Sequence, residues 1–236
     1  MSTKNLTETG LELNERPNNS FSRRKFLGFV GAGSAAIATA SILTACGKDD
    51  NPSTAGVNLG SGDVGVLNYA YALEQLEAAF YVKVISSLYS GITPAEQALL
   101  TDIRDHEVAH RNFFKAAISA AGATPLQDLQ VNFSSVDFGS RASVLATAKA
   151  FEDLGVSAYN GAGKLLVSPD YLLIAGKIVS VEARHAALIA DLISPGSFAN
   201  TTDANGLDIA KTPAEVLAIA GSFVTTKLNA SNLPTS

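Results

Sequence analysis

Cysteine and tryptophan are almost absent from this sequence, which has one Cys and no Trp among 236 residues. A single thiol, at Cys46, excludes an internal disulfide framework and any metal site built from four cysteines. Aromatic residues are also few, at 7%, whereas hydrophobic residues reach 47% and include many alanines. Small apolar side chains of this kind indicate helices that pack closely side by side.

Concentrated positive charge is missing as well. The formal net charge is -5, and lysine and arginine are scattered after the first 25 residues. Because a nucleic-acid-binding surface needs clustered basic residues, we expect no nucleic acid among the partners. The first 60 residues or so lack the pattern of a folded domain, and the remaining ~170 suit one domain with one core.

The N-terminal segment has the order of features that is typical of an export signal. Arg23 and Arg24 open it, a run of apolar and small residues covers 29–43, and Leu-Thr-Ala ahead of Cys46 ends it. The arginine pair resembles the twin-arginine signal, which is read by a translocase that passes folded proteins. The last four residues resemble the bacterial lipobox, in which the cysteine is lipidated. We therefore expect residues 1–46 to be a signal peptide that ends at the lipidated cysteine.

The same run could instead be a membrane-spanning anchor with an incidental cysteine, but it is short and rich in Gly, Ala and Ser. Residues 47–62 lack an apolar period and contain many Gly, Ser and Asp, which predicts a flexible linker. The expected partners are the twin-arginine translocase, the lipoprotein-processing enzymes and a membrane that holds the lipid. The protein would then be lipid-anchored in the bacterial cell envelope, on the periplasmic side or at the surface.

Further along, one stretch of the chain occurs twice. A row of Leu, Glu, Tyr and Leu at intervals of seven residues lies first at Leu67, Glu74, Tyr81 and Leu88 and again at Leu145, Glu152, Tyr159 and Leu166. Seven residues are close to two helical turns, so each row lies along one helix face. Each copy is followed by Glu-x-x-His. The sequence therefore predicts one helix pair repeated twice.

Start and stop signals predict four helices, at about 63–90, 94–121, 141–167 and 169–193. The break at 122–140 is longer than a hairpin between neighbouring helices needs, and it could carry the chain along the whole bundle. That connection resembles the ferritin-like topology. The predicted fold is all-α: a ferritin-like four-helix bundle over 63–194, with a long crossover between helices 2 and 3. Residues 195–236 would add a loop and an extra helix, at about 213–227, outside the bundle, with a frayed end.

The polar residues of the repeat form a candidate ligand set: Glu74, Glu107, His110, Glu152, Glu182 and His185. A Glu and a His three residues apart share a helix face. A lone carboxylate in an apolar row costs on the order of several kcal/mol unless it is protonated, paired or metal-bound. Four carboxylates and two imidazoles suit iron or manganese, and two divalent ions would nearly cancel the four negative charges.

Four segments carry a family resemblance, namely Leu-Glu-Gln-Leu-Glu-Ala-Ala-Phe-Tyr, His-Glu-Val-Ala-His, Phe-Glu-Asp-Leu-Gly-Val-Ser-Ala-Tyr and Val-Glu-Ala-Arg-His-Ala-Ala. They resemble the ferritin-like domain of the desiccation-related protein family over about residues 67–192. The resemblance implies that the six residues are metal ligands, as in the wider ferritin-like superfamily. It does not extend to the rubredoxin module of rubrerythrins, because Cys-x-x-Cys pairs are missing. A tethered lipoprotein is also an awkward subunit for a storage cage.

Glu-x-x-His can also be an exposed pair on a solvated helix. Its recurrence at matching offsets, behind matching glutamate rows, favours the ligand interpretation. For Tyr81 and Tyr159 we expect core aromatics with a hydroxyl near the ligands rather than radical sites.

Two further residues are predicted to have auxiliary roles. His106 has no counterpart in the repeat, where Val181 stands, which indicates a residue at the boundary of the site. Glu77 lies about one turn after the first glutamate of the repeat and could also face inward. Its repeat partner is Gly155, so only one half of the domain would carry this acid.

Two functions remain open. In the first, an exported protein with two iron or manganese ions reacts with oxygen or peroxide, as a ferroxidase, oxidase or peroxidase, in envelope stress protection. In the second, a non-catalytic structural or desiccation-protection protein keeps a degenerate or purely structural metal site. The presence of all six ligands favours the first, but ligands do not specify a reaction. Whether the chain is an enzyme, its redox partner and its oligomeric state, with a dimer as one option, stay open.

Overall fold

The computed structural model describes residues 56–235. Its helices are α1 (Gly62–Ser86), α2 (Pro94–Ala120), α3 (Arg141–Ala162), α4 (Pro169–Ile193) and α5 (Pro213–Ala220), and its strands are β1 (Val57–Asn58) and β2 (Leu228–Asn229). Helix α1 packs mainly on α2, and α3 packs mainly on α4, while α1 and α3 also contact each other. The predicted all-α bundle is confirmed. The export-signal residues Arg23, Arg24 and Cys46 lie outside the described residues.

Side-chain caps set the predicted starts of the helices. At α2, the Thr93 hydroxyl accepts the backbone N–H of Glu96 at 3.1 Å, and proline occupies the first helical position. At α5, Thr212 and Glu215 form a reciprocal capping box. Such caps satisfy N–H groups that have no partner inside the helix, so the residues that form them predict where the helices begin.

Helix α1 is shorter than expected, ending at Ser86. The Ser86 hydroxyl donates to the carbonyl of Lys83 at 3.0 Å, and the N–H of Ser87 donates to the carbonyl of Val84 at 3.2 Å. These short-range bonds compete with continued helix. Leu88, the last residue of the predicted apolar row, consequently lies outside the helix and is exposed.

Helix α3 also ends early, at Ala162, and a 3₁₀ turn at Gly163–Leu165 follows it. The chain beyond is fixed from the other half of the domain, because the Asp63 carboxylate accepts the N–H groups of Val167 at 2.7 Å and Ser168 at 2.9 Å. The beginning of α1 and the beginning of α4 are therefore joined at one end of the bundle.

The predicted linker and the predicted frayed end both need correction. Strand β1 pairs in parallel with β2, with Val57 opposite Leu228. Leu59 is fully buried, and Leu233, near the end of the chain, is buried as well. Because these apolar side chains pack in the core and the strands satisfy each other's backbone groups, residues 57–62 belong to the folded domain rather than to a tether.

Helix α5 ends at Ala220, seven residues before the predicted end. Its continuation pairs with the crossover between α2 and α3 instead. The N–H of Asn132 donates to the carbonyl of Phe223, and the N–H of Thr225 donates to the carbonyl of Gln130, each at 2.8 Å. The crossover thus has backbone partners of its own, which a helix in this region would not supply. The helix itself packs on α3, and its Val216 and Ala220 are buried in the hydrophobic core.

No helix within residues 56–235 combines the length and the apolar character needed to cross a bilayer.

One glycine in α3 allows the C-terminal region to approach closely. The N–H of Lys211 donates to the carbonyl of Ser157 at 2.9 Å, and the backbone of Lys211 then passes over Gly161. A Cβ atom at Gly161 would lie 1.7 Å from the Lys211 carbonyl oxygen. Any side chain there would therefore push the two segments apart.

We predict that Gly161→Ala lowers the free energy of unfolding by about 1–3 kcal/mol, because the added methyl overlaps backbone atoms. Gly176→Ala in α4 is the matched control, since a Cβ there meets nothing within 4 Å. The control should gain roughly 0.5–1 kcal/mol from the lower backbone entropy of the unfolded chain. Urea denaturation measures both. Equal changes in the two variants would contradict the close approach.

Candidate metal centre

All six predicted ligands meet in the interior of the bundle, and every one of the four bundle helices contributes. Helix α1 supplies Glu74, α2 supplies Glu107 and His110, α3 supplies Glu152, and α4 supplies Glu182 and His185. The four glutamates are fully buried, His185 is 4% exposed, and the His110 side chain is 13% exposed. Helical periodicity places these residues inward because each lies on an otherwise apolar face.

One group of ligand atoms surrounds the ring nitrogen Nδ1 of His110. Glu182 Oε1 lies 2.9 Å from it, Glu74 Oε2 lies 3.5 Å from it and Glu107 Oε2 lies 3.7 Å from it. These four atoms lie within 4.8 Å of one another, close enough to hold one metal ion.

The second group mirrors the first around Nδ1 of His185. Glu107 Oε1 lies 2.9 Å from this nitrogen, Glu152 Oε2 lies 3.4 Å from it and Glu182 Oε2 lies 3.7 Å from it. Metal bonds of ~2.1 Å imply ligand atoms roughly 3–3.5 Å apart, so both groups have suitable dimensions. Glu107 and Glu182 each direct one oxygen into either group and therefore connect the two.

The remaining oxygens of the other two glutamates accept hydrogen bonds from tyrosines. Tyr159 donates to Glu74 Oε1, and Tyr81 donates to Glu152 Oε1. Each tyrosine belongs to the opposite half of the repeat from the glutamate that it holds. Burial raises the pKa of both phenols well above the ordinary value, so both hydroxyls remain protonated donors.

The inward-facing ligand atoms have no hydrogen-bond partner among the described residues. They are Glu74 Oε2, both carboxylate oxygens of Glu107, His110 Nδ1, Glu152 Oε2, both carboxylate oxygens of Glu182, and His185 Nδ1. The histidine nitrogens are near the carboxylates in distance but are not aligned for a hydrogen bond. Buried polar atoms are normally paired. Eight unpaired atoms converging in two groups match the donor set of a metal centre.

Burial of so many acids perturbs their protonation. It raises the pKa of Glu152 to about 8 and that of Glu74 well above its ordinary value, with repulsion from Glu182 adding to the shift at Glu74. Burial also opposes ionisation of Glu107, but the two histidines outweigh it and lower the pKa of Glu107 to about 2. Without metal, the carboxylates therefore share protons unequally.

The histidines respond in the opposite sense. Burial alone would lower the pKa of His110, but the close carboxylates outweigh burial and raise it to about 12. The pKa of His185 is raised to about 12 by the same balance. In the absence of another cation, both rings are thus held as imidazolium. A bound metal would take the place of these protons.

A fifth acid, Glu77, lies beside the six ligands. It is 4% exposed, its Oε2 has no hydrogen-bond partner among residues 56–235, and burial raises its pKa well above the ordinary value. A Cβ atom at Gly155 would lie 3.0 Å from Glu77 Oε1 and 3.8 Å from Glu182 Oε2. The absence of a side chain at Gly155, the repeat partner of Glu77, therefore leaves room for the Glu77 carboxylate.

His106 lies at the outer edge of the site. It is exposed, and its Nδ1 lies 3.0 Å from Nε2 of the buried His185, with the two rings stacked at an interplanar angle of 13°. Outer partners of this kind fix the tautomer and the orientation of a ligand histidine. Since Val181 occupies the equivalent position of the repeat, the described structure gives only the second group such a histidine partner.

Comparison with protein families agrees with this architecture. The model of the ferritin-like domain family matches residues 62–195, which is more than half of the chain. The chain therefore belongs to the ferritin-like domain family. No curated protein matches the chain significantly.

Proposed function

We propose that this ferritin-like bundle binds two iron or manganese ions and reacts with dioxygen or peroxide in envelope stress protection. The observation that carries the proposal is the convergence of eight unpaired ligand atoms in two groups, joined by Glu107 and Glu182. Glu107 and Glu182 divide their oxygens between the two groups, so each of them would help to hold both ions.

Charge supports two divalent ions rather than one. The six ligands carry four negative charges when the glutamates are ionised and the histidines are neutral, and two divalent ions nearly cancel them. The mixture of oxygen and imidazole donors suits iron or manganese better than a thiolate-binding metal. When bound, such ions supply the one-electron steps that oxidation by dioxygen or peroxide requires.

The chain's own residues have separate roles in this proposal. Tyr81 and Tyr159 orient the terminal carboxylates of Glu152 and Glu74 by hydrogen bonds. Because the four glutamates are fully buried, bulk water does not reach them, and the charge interactions inside the site are stronger for that reason. His110 is the ligand nearest to solvent, with 13% of its side chain exposed, so exchange with solvent is expected on its side.

A structural role is the second candidate, and the closure of the site favours it. Four fully buried glutamates would also suit an ion that only holds the bundle together, as in a desiccation-protection protein. The two functions differ in one property: a structural ion need not change oxidation state. Protein loaded with Fe(II) without oxygen would keep it ferrous on exposure to dioxygen or peroxide in the structural case.

Metal stoichiometry tests the shared site. We expect two ions in the wild type, about one in Glu152→Gln, and none held tightly in Glu107→Gln, because Glu107 serves both groups and Glu152 serves one. Glu96→Gln is the control, since this buried glutamate pairs with Arg141 at 2.7 Å outside the site and should keep both ions. Elemental analysis after loading with Fe(II) or Mn(II) gives the counts. One ion retained in Glu107→Gln would indicate independent sites and contradict the proposal.

We also propose that the chain is exported by the twin-arginine translocase, is lipidated at Cys46, and is anchored in the cell envelope. The order of Arg23, Arg24, the apolar run and the lipobox-like end supports this proposal. The desiccation-related subfamily is proposed on the sequence resemblance alone.

Replacing Arg23 and Arg24 together by Lys should leave the precursor in the cytoplasm, because the translocase reads the arginine pair. Cys46→Ala should still be exported but should lack lipid. Cell fractionation and labelling with a radioactive fatty acid report the two outcomes. Normal export of the Lys-Lys variant would rule out the twin-arginine proposal.

A further inference from the structure

A small apolar cavity lies between the four bundle helices. Its volume is about 30 Å³, and its wall is almost entirely apolar. It is lined by the first half of α1, the last turns of α2 and α3, and the start of α4. Among the residues that line it are Tyr69, Leu73, Ala117, Ala158 and Tyr159.

The sequence repeat shows why the cavity exists at this end. Ala158 occupies the position equivalent to Phe80, and Ala117 occupies the position equivalent to Leu192. At the opposite end, Phe80 is fully buried and makes edge-to-face contacts with Phe151 at 5.1 Å between ring centroids. Protein interiors are normally close-packed, so a smaller residue at an equivalent position leaves space. The cavity is thus encoded by one alanine from each copy of the repeat, Ala117 from the first and Ala158 from the second.

The cavity adjoins the ligands through its wall. Tyr159 lines it and donates its hydroxyl hydrogen bond to Glu74, one of the candidate metal ligands. Leu73, which precedes that ligand in α1, lines it as well. The hydroxyl of Tyr69, a third lining residue, is buried and has no hydrogen-bond partner among the described residues. One aromatic side chain therefore separates the cavity from the carboxylates.

We propose that this cavity binds dioxygen and admits it to the metal centre, an inference that rests on the proposed function and narrows its oxidant. A volume of about 30 Å³ holds one or two molecules of the size of water. Peroxide has two O–H donors to satisfy, and the wall is almost entirely apolar, whereas dioxygen is apolar and needs no hydrogen-bond partner. The size and the chemistry of the cavity together select the diatomic gas.

Xenon tests binding without any metal, because it occupies dry apolar cavities. Crystals of the metal-stripped protein under xenon pressure should show an anomalous peak between Tyr69, Ala117 and Ala158. Ala117→Leu and Ala158→Phe, which copy the residues of the opposite end, should each abolish the peak. Ala116→Leu is the matched control, since Ala116 is exposed on the same helix and adds the same atoms outside the cavity. Absence of xenon from the wild-type cavity would overturn the proposal.

Oxidation kinetics test the passage of the gas. In protein loaded with Fe(II), Ala117→Leu should slow oxidation by dioxygen about tenfold and leave oxidation by hydrogen peroxide unchanged. The Ala116→Leu control should match the wild type with both oxidants. Ala158→Phe provides a second filled cavity should Ala117→Leu prove unstable.

The outcomes separate the cavity from the proposed function. The cavity proposal alone is overturned if filling the cavity leaves the rate of Fe(II) oxidation by dioxygen unchanged. It is also overturned if filling the cavity slows oxidation by dioxygen and by hydrogen peroxide equally. Wild-type protein that holds Fe(II) inert to both oxidants overturns the proposed function, and delivery of dioxygen with it.

Discussion

The burial of five carboxylates in one helical core is the constraint on which the rest of the structure depends. Glu74, Glu77, Glu107, Glu152 and Glu182 are all buried, and each ionised carboxylate without a partner costs on the order of several kcal/mol. Only protons or cations can offset this repulsion. The two histidines of the site supply part of the positive charge. Two tyrosine hydroxyls donate hydrogen bonds to one oxygen each of Glu74 and Glu152. Apart from Glu77 Oε2, the carboxylate oxygens that remain unpaired within residues 56–235 are those of the two candidate ligand groups.

The repeat builds this core twice, and the differences between its copies give the site a direction. His106 contacts only the second ligand histidine, since Val181 stands at the equivalent place. Gly155 makes room for a fifth acid in the first copy. Ala158 leaves a cavity where Phe80 fills the other end. Each difference changes one side of an otherwise two-fold arrangement, so the two candidate ligand groups are expected to differ in partners and in access.

The inward positions of the six candidate ligands could be predicted from sequence because they depend on local periodicity: a glutamate on an apolar helix row must face inward. Contacts between distant segments could not be predicted in the same way. The tyrosine bonds that cross between the halves, the pairing of Val57 with Leu228, and the passage of Lys211 over Gly161 all join residues far apart in the chain. The apolar period that includes Leu88 predicts a longer α1, whereas the Ser86 hydroxyl and the Ser87 N–H bond back to the last turn and the helix ends before Leu88.

The melting temperature of metal-stripped and Mn(II)-loaded protein as a function of pH tests the central claim most directly. Burial raises the pKa of Glu74 and Glu77 and raises that of Glu152 to about 8, from an ordinary 4.5. The stability that Glu152 contributes is fully present below about pH 4.5 and is lost as the pH rises through about 8, and Glu74 and Glu77 act in the same direction. The raised pKa values of His110 and His185 act in the same direction above pH 6.5. We predict that the melting temperature of stripped protein falls as the pH rises from about 5 to about 8. Bound Mn(II) should offset this loss, so the difference in melting temperature between loaded and stripped protein should grow with pH. Identical melting with and without metal at about pH 8 would contradict the account.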